Sequence, residues 1–438
     1  MSSDWQETTL GKLAEINPRR PISKGEAAPF IEMAALPTHS RDIEKSDIAF
    51  KDFSGGGAKF KNGDTLLARI TPCLENGKTS LVSGLIDGQC AFGSTEFIVI
   101  GPRAPEDKEF LYYLARSESF RSYAISRMEG TSGRQRVPSS AVEGYRLVCP
   151  PKSLRAEIGR TLGALDDCIA ILRETNATLE AMAQAIFKSW FVDFDPVRAK
   201  AEGRQPERMD GATAALFPDS FEDSELGEVP AGWSVFPIGE LVKCVGGATP
   251  STKNSEFWEP AEFAWTTPKD LSGLQSPILH KTEKMVSSKG VLKISSGLLP
   301  AGTLLMSSRA PIGYLAISSI AVAVNQGYIA IPPGGKLSPL YLLHWCRQNM
   351  ELIKSHANGS TFMEISKKAF RPLPALLPSV EVLAEFTKRV SPIFESIAAN
   401  DRQINLLAEI RDTLLPKLIS GEIRLPEAES IVRSAVNA

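Results

Sequence analysis

Two stretches of the chain concentrate side chains suited to binding nucleic acid. The segment RSESFRSYAISRMEGTSGRQR, residues 116–136, contains five arginines and two glutamates, and the segment KSHANGSTFMEISKKAFR, residues 354–371, contains four cations and one glutamate. Arginine, lysine and polar residues on glycine-bearing loops are the types that contact phosphates and base edges. Either run alone would suit an ordinary solvated surface, and the net charge of -2 creates no global basic field. The two runs together predict local contacts with nucleic acid.

The sequence lacks the motifs that would make this chemistry catalytic. ENGKTS, residues 75–80, ends like a phosphate-binding loop, but Pro72 stands where that loop requires a glycine. NPRR, residues 17–20, lacks the second proline and the aromatic residue of an adenine-methylation motif. We expect a chain without enzymatic activity and without a cofactor. An enzyme whose site carries no recognised motif is the alternative.

Cysteine, histidine and hydropathy patterns narrow the class of protein. Six cysteines without a CxxC pair and four histidines without ligand spacing predict free thiols and no metal site. MSSDWQETTL, residues 1–10, lacks the apolar core of a signal peptide. No apolar run reaches the roughly 18 residues of a membrane span. These features predict a cytoplasmic protein with no membrane partner.

The elements that position the basic runs occur twice along the chain. DWQETTLGKL, residues 4–13, returns as GWSVFPIGEL at an offset of 228 residues. FLYYLARSESF, which begins at Phe110, matches PLYLLHWCRQNM, which begins at Pro339. GTSGRQRVPSSAV, which begins at Gly130, matches GSTFMEISKKAF, which begins at Gly359. An ordered set of matches indicates a tandem duplication.

Each copy consists of a domain followed by a long helix. The domains are rich in glycine, proline and short β-type runs, with one helical pattern near residues 110–128 and again near residues 339–356. The predicted fold class is α+β: two mixed α/β domains from a tandem duplication, joined by two long helices that form an antiparallel coiled coil. The predicted segments are a first domain (1–152), a first spacer helix (153–195), a surface linker (196–222), a second domain (223–378), a second spacer helix (379–421) and a C-terminal tail (422–438).

Apolar residues in both helices alternate in steps of four and three. The first seam contains Ile158, Leu162, Leu165, Ile169, Leu172, Asn176, Leu179, Ala183, Ile186 and Trp190. The second contains Phe386, Val390, Ile393, Ile397, Asn400, Ile404, Leu407, Arg411, Leu414 and Leu418. A 3.5-residue repeat of this length predicts a coiled coil, and two helices packed separately on their own domains are the alternative. Ser153 and Ser379 are expected to cap the helix starts, and Pro196 and Gly421 to end the helices.

One asparagine in each seam predicts the register of the pair. Because a whole domain separates the helices, two-fold-related copies imply an antiparallel arrangement. A buried amide is costly without a partner, so we expect Asn176 to lie opposite Asn400. Ile158 then meets Leu418 and Trp190 meets Phe386. At about 1.5 Å per residue the seam spans roughly 50 Å, which suits domains held about one helical turn of DNA apart or somewhat more.

The first helix ends in an aromatic cluster, AIFKSWFVDFDP, residues 185–196. Phe187, Trp190, Phe191 and Phe194 exceed what the end of a two-helix spacer needs. We predict that they bind a partner subunit, because buried aromatic residues often dominate the affinity of interfaces. The alternative is that they attach the helix to the neighbouring domain.

The order of these features strongly resembles the specificity subunit of type I restriction-modification enzymes. The resemblance extends over essentially the whole chain. Its specific motifs are SWFVDFDPVRAKAEGRQPE, LFPDSFEDSELGEVPAGW and LLPKLISGEI, which begin at Ser189, Leu216 and Leu414. The two domains themselves carry weaker motifs, since the target-recognition domains of that family differ widely among members.

The resemblance implies a DNA-reading subunit of a cytoplasmic complex, without catalytic activity of its own. Each domain would read one half of a two-part asymmetric target in double-stranded DNA. The helices would hold the domains apart and form helical bundles with two adenine methyltransferase subunits. Two restriction subunits, which are ATP-dependent translocating endonucleases, would complete the enzyme. S-adenosylmethionine, ATP and Mg²⁺ would belong to those partners. A coiled-coil scaffold that presents two protein-binding domains is the rival interpretation.

The family also has Gly-Ser/Thr-rich loops, at the positions of Gly130 and Gly359 here, followed by polar residues near DNA. We therefore expect DNA contacts to concentrate in loops of the two domains. The candidates are Arg69, Lys78, Arg134, Gln135 and Arg136 in the first domain, and Thr252, Lys253, Lys269, Arg309, Lys367 and Lys368 in the second.

Overall fold

The computed structural model describes residues 5–131, 133–359 and 363–436. The chain divides into two units by its internal contacts. The first unit comprises Met1–Ile171 together with Gln403–Ala438, and the second comprises Leu172–Arg402. Each of the two long helices, Lys152–Phe191 and Val380–Ser420, therefore contributes one segment to each unit.

Within its described residues, the first unit is built on two four-stranded sheets. One has the strand order Ala14–Ile16, Phe97–Pro102, Thr65–Ala68, Thr79–Leu81, and the other the order Ile48–Asp52, Ala27–Ile31, Cys90–Gly93, Ala58–Lys61. Phe97–Pro102 is an apolar run almost wholly buried, as expected for a strand covered on both faces. The helices of this domain are Leu10–Leu13, Lys108–Arg116, Glu118–Ser126 and Ser139–Glu143, with 3-10 turns at Lys45–Asp47 and Pro105–Asp107.

The second unit repeats this plan with different loops. Its described strands form a sheet in the order Ile278–Leu279, Ile312–Ser318, Leu304–Ser308, Tyr328–Ile331, a second in the order Lys284–Val286, Phe263–Thr266, Ala323–Val324, and a hairpin of Phe221–Ser224 with Gly227–Pro230. Its short helices are Asp195–Ala201, Gly211–Ala215, Ile238–Leu241, Pro268–Ser272, Ser288–Val291, Pro339–Gln348, Met350–Ser355 and Lys367–Phe370, with a 3-10 turn at Ser255–Phe257.

Strand register confirms the tandem duplication. In the first domain Gln6–Thr9 pairs antiparallel with Arg146–Cys149, and Gln6 lies opposite Cys149. In the second, Ser234–Pro237 pairs with Pro374–Leu377, and Ser234 lies opposite Leu377. The partners are displaced by the 228 residues seen in the sequence. In both domains the first strand thus pairs with the last strand, and a long helix follows immediately.

The long helices run antiparallel along the predicted seams. In the first unit, residues near the start of one helix and the end of the other are buried together, and Asp166 and Arg411 form an ion pair. In the second unit the rings of Trp190 and Phe386 lie 6.2 Å apart. The amide Nδ2 of Asn400 donates to Oδ1 of Asn176 at 2.8 Å, so the two asparagines face each other as the register requires. The predicted fold class is confirmed.

Two predicted helix ends are wrong. Ser153 lies inside the first long helix, which begins at Lys152. That helix ends at Phe191 rather than at Pro196, and Pro196 instead occupies the first turn of the helix Asp195–Ala201. Proline is tolerated there because the first turn has no intrahelical use for its missing N–H.

The second long helix begins and ends as predicted. The Oγ of Ser379 accepts from the amide N of Val382 at 3.3 Å, which caps the start. The helix ends at Ser420, and Gly421 follows with a φ of 73°, the left-handed conformation that glycine adopts without a Cβ penalty.

The segment after the first helix is not the plain surface linker that its composition suggested. It forms the short helices Asp195–Ala201 and Gly211–Ala215. Val197 and Phe217 are buried in the core of the second unit. The segment expected to be a C-terminal tail likewise contains a helix, Leu425–Val436. A few buried apolar side chains lie among the polar residues of these segments. Composition averages over them and therefore predicted a linker and a tail.

Candidate nucleic-acid interface

The basic loop of the first domain is held by a backbone bridge. Glu129 and Arg136 exchange hydrogen bonds of 2.9 and 2.8 Å between their amide N and carbonyl O atoms. Next to it, Gln135 and Thr71 are joined twice, through the Gln135 amide N to Thr71 Oγ1 at 3.1 Å and through the Thr71 amide N to the Gln135 carbonyl at 3.0 Å. These bonds fix the base of the loop, and Arg134 is exposed.

The guanidinium of Arg136 is engaged within the protein. It forms a bidentate ion pair with Glu96, with distances of 2.9 Å from Nε to Oε2 and 2.7 Å from Nη2 to Oε1. The hydrogen bonds from Arg136 lower the pKa of the Glu96 carboxyl group. Arg136 is half-buried and its charge is largely compensated. The geometry suits a residue that positions the loop, whereas Arg134 is better placed to reach a phosphate.

A basic cleft beside Arg69 contains residues that the sequence reasoning missed. Arg19, Arg20 and Lys59 line it together with Arg69, which was already a candidate; Arg20 is paired with Asp64, at 2.8 Å between Nη2 and Oδ1. The Nε of Arg69 is buried and has no hydrogen-bond partner in the described part of the chain. The arginine pair in NPRR was visible in the sequence, but it was compared only with a methylation motif. The two adjacent arginines of NPRR are the signal in the sequence that could have predicted this cleft.

The ammonium group of Lys78 is engaged within the protein. Its Nζ donates to the carbonyl of Met33 at 2.8 Å and to the carbonyl of Ala34 at 3.1 Å. The ammonium group therefore ties two loops of the domain together. This placement favours a structural role over contact with DNA.

The second domain builds the equivalent loop with different charges. Asn358 and Glu364 form the backbone bridge, with both hydrogen bonds at 2.9 Å, in the place of Glu129 and Arg136. Glu364 therefore occupies the position of Arg136, and Arg309 lies opposite it with 3.6 Å between Nη1 and Oε2. An acidic residue at this point makes the loop of the second domain chemically different from that of the first.

The other candidates in the second domain are more accessible. Thr252, Lys253 and Lys368 are exposed. Lys269 is exposed and pairs with Glu283 at 2.8 Å, a surface ion pair of little energetic weight. Lys367 is half-buried at the start of a helix that Ser366 caps.

The aromatic cluster at the end of the first helix is core rather than free surface. Phe187, Trp190, Phe191 and Phe194 are between 4 and 9% exposed and pack with rings of the second domain. Phe191, for example, lies 5.0 Å from Tyr341 between ring centroids. The prediction that these four rings form a partner-binding surface conflicts with this burial. A stripe of aromatic residues looks the same in a sequence whether the chain's own domain or another subunit covers it.

The described residues contain neither a membrane-spanning helix nor a metal-binding cluster. No helix in the described part of the chain combines the length and the apolar character needed to cross a bilayer. Within the same residues, no group of three or more histidine, cysteine, aspartate or glutamate side chains is arranged to hold a metal ion.

Comparison with known proteins decides the family. A family model described as the type I restriction modification DNA specificity domain matches residues 230–409. The HindI specificity subunit of Haemophilus influenzae is 30% identical over 473 aligned positions, which cover 96% of this chain and 100% of that protein. The MjaIX specificity subunit of Methanocaldococcus jannaschii is 33% identical over 191 positions, 43% of this chain and 44% of that protein.

The chain belongs to the type I restriction enzyme specificity subunits.

A solved structure shares the architecture of this specificity subunit. The S subunit of the type I restriction-modification system from M. genitalium covers 94% of this chain and 96% of its own, with a TM-score of 0.53. At 17% identity the match concerns the fold alone. DNA sequence recognition is the role that membership of the family assigns to the subunit. The glycine-rich loops at Gly130 and Gly359 include Ser132, Ser360, Thr361 and Phe362, which lie outside the described residues.

The geometry predicts different roles for Arg134 and Arg136. We expect Arg134→Ala to lower the slope of log affinity against log salt by about one, since one phosphate contact releases about one counterion. Arg136→Ala is expected to impair binding through loss of loop order, because it leaves Glu96 without its bidentate partner. Fluorescence anisotropy with specific DNA at several salt concentrations measures both slopes. An Arg134→Ala slope equal to that of the unaltered subunit would contradict the assignment.

Proposed function

We propose that the subunit reads a two-part asymmetric target in double-stranded DNA, one half-site with each domain. The duplication is the observation that carries this proposal. Both domains present a bridged loop at the same place in the fold: Arg136 bridges to Ile70, just after the strand Thr65–Ala68, and Glu364 bridges to Arg309, just after the strand Leu304–Ser308. The loops differ in side chains, with Arg136 in one and Glu364 in the other. Equivalent positions with different chemistry suit two readers of different sequences.

The helix pair would act as the spacer between the two readers. Its seam positions are buried or half-buried in both helices, and its one layer of paired asparagines favours a single register. A coiled coil of fixed register keeps a fixed length, so a constant number of unread base pairs would separate the half-sites.

The subunit would also assemble the enzyme. In this proposal its helices bind two methyltransferase subunits, and two restriction subunits complete the complex. The reacting groups and the cofactors S-adenosylmethionine, ATP and Mg²⁺ would belong to those partners. The specificity subunit would contribute base contacts and geometry but no catalytic side chain.

Mapping methylated adenines in the DNA of the source strain tests the proposal. We expect a motif of two unlike blocks separated by a constant gap. Gel shifts of the subunit with its methyltransferase partner should then require both blocks, and scrambling either block should abolish the specific complex. Binding that ignores one block would contradict the two-reader proposal. Binding to no DNA at all would favour a protein scaffold.

Lengthening the spacer should lengthen the gap. Inserting seven residues at equivalent points of both long helices adds one heptad, about 10 Å. We expect the preferred gap to increase by roughly 3 base pairs while both half-sites stay the same. An insertion of four residues in one helix is the control, since it breaks the seam and should reduce binding at every gap. A preferred gap that does not change after the heptad insertion would show that the helices do not set it.

A further inference from the structure

Asp401 links the long helices to the second domain. The residue follows Asn400 in the second long helix, and its side chain is 12% exposed. Oδ1 accepts from Nδ2 of Asn176 on the first helix at 3.0 Å. Oδ2 accepts from the hydroxyl of Ser276 and contacts Nε2 of His280 at 3.1 Å. One carboxylate thus joins the asparagine layer of the coiled coil to a loop of the domain.

The loop that Asp401 holds belongs to the rigid part of the domain. Ser276 and His280 flank the strand Ile278–Leu279, which is buried and pairs parallel with Ile312–Ser318. Nδ1 of His280 contacts the hydroxyl of Ser319, just after that strand, at 3.0 Å. A displacement of Asp401 would therefore shift the sheet that contains Ile278–Leu279, because the residues that Asp401 contacts are bonded to that sheet.

A second polar contact lies nearby. Glu180 on the first long helix pairs with Arg347 at 2.5 Å from Oε1 to Nη2, and Arg347 lies in the helix Pro339–Gln348 of the domain. A cavity of about 370 Å³ lies beside the two contacts and is lined by Glu180, Ser276 and Arg347, among others. The helices and the domain are thus joined here by polar groups in addition to their apolar contacts, next to open space. We call the contacts of Asp401 and Glu180 the polar clamp.

The polar clamp adjoins the apolar contact of the same domain. The hydrophobic cluster around Trp190 extends along the helices and includes Ile397 and Ile278, next to the residues of the clamp. Asn176 lies 14 residues before Trp190 on the first helix, a distance of about 21 Å. The apolar contacts hold the domain against the helices over this length, and the clamp adds hydrogen bonds and an ion pair of defined direction at the far end. Loss of the clamp would loosen the angle of the domain there without detaching it.

We propose that Asp401 and Glu180 are positioning residues that set the angle of the second domain on the helices, and thereby the gap that the subunit accepts between half-sites. The inference rests on the proposed reading of a two-part target. One extra base pair moves a half-site by about 3.4 Å and turns it by about 34°. A reader that rejects such a change has to be held at a fixed angle as well as at a fixed distance.

The test compares gap selectivity with half-site selectivity. The full subunit is assembled with its methyltransferase partner, and methylation is measured on duplexes carrying the mapped target with its gap changed by one or two base pairs. We expect the unaltered complex to lose about tenfold or more in rate for one added base pair, which corresponds to about 1.4 kcal/mol. The variant Asp401→Ala/Glu180→Ala should lose about threefold or less. Its discrimination against a scrambled half-site should stay within about twofold of the unaltered complex.

Two controls separate positioning from general loosening. Asp401→Asn keeps the shape and can still accept from Asn176, so it should recover part of the gap selectivity. Ile294→Ala removes a buried side chain of the same domain away from the clamp, and at a matched loss of melting temperature it should keep full gap selectivity. If Ile294→Ala broadens the gap as much, or if the clamp variant keeps the original selectivity, the inference is overturned. Failure of the proposed function is distinct, because the unaltered complex would then ignore one half-site.

Discussion

Replacing Arg411 with leucine is expected to destabilise the first unit by about 3–5 kcal/mol, because it leaves the buried carboxylate of Asp166 without its charge partner. Arg411 and Asp166 are each 4% exposed at the side chain and form an ion pair across the helix pair. Arg411 also pairs with Asp412 at 2.8 Å. The hydroxyl of Tyr113 donates to the other Asp166 oxygen at 2.5 Å. Burial, and then the neighbouring charge of Asp166, raise the pKa of Tyr113, so its phenol keeps the proton that it donates.

Thermal denaturation of the full chain measures this effect. In a unit of this size we expect a fall in melting temperature on the order of 10 °C. The double variant Asp166→Asn/Arg411→Leu should recover most of the loss, because a neutral amide can still accept from Tyr113 and no buried charge remains unpaired; Asp412, which also loses its partner, is exposed. Arg160→Leu, an exposed arginine on the first long helix, is the matched control and should change stability by less than about 0.5 kcal/mol. A double variant no more stable than Arg411→Leu would show that the ion pair is not the cause.

Trp190→Ala should destabilise the second unit by about 3–5 kcal/mol, as expected for deletion of a large buried ring. Trp190 is 5% exposed and lies edge-on to Phe217 at 5.0 Å between ring centroids. The guanidinium of Arg389 lies over the Trp190 ring, 5.9 Å from its centroid. Removing the ring deletes these contacts and the buried area that they cover. Assembly with a methyltransferase subunit should weaken only as far as the fold is lost.

Met182→Ala is the matched variant for this prediction. Met182 lies two turns before Trp190 on the same helix, is 51% exposed and lines an open cleft. Its removal should change the melting temperature little, since an exposed side chain loses little buried area. Comparing melting temperature with affinity for the methyltransferase in both variants ranks the two sites. If Trp190→Ala lowers affinity far more than it lowers stability, the aromatic cluster takes part in the interface after all.

The aromatic residues at the end of the first long helix show what can be predicted from the sequence alone. Their types and spacing predicted a partner-binding surface, but Tyr341 of the chain's own second domain covers them; the contact of Trp190 with Phe386 followed from the predicted register. The short helices between residues 195 and 215 were missed because their few buried residues, such as Val197 and Ala214, stand in a polar background. Lys78 and Arg136 were chosen as cations, and their partners were set by loops that no local pattern specifies.

Periodicity and repetition by themselves determined the duplication, the antiparallel helix pair and the facing asparagines. These are properties of spacing: a 3.5-residue repeat selects one face of a helix, and equal copies related by an offset of 228 residues inherit equal strand register. Only the tertiary structure decided what Asp401, Glu180 and Arg411 do. Each of them is a charge whose energy depends on burial and on a partner at least 100 residues away in sequence. A one-dimensional pattern contains the charge but not the partner, so the contacts that hold the second domain on its helices emerged only from the fold.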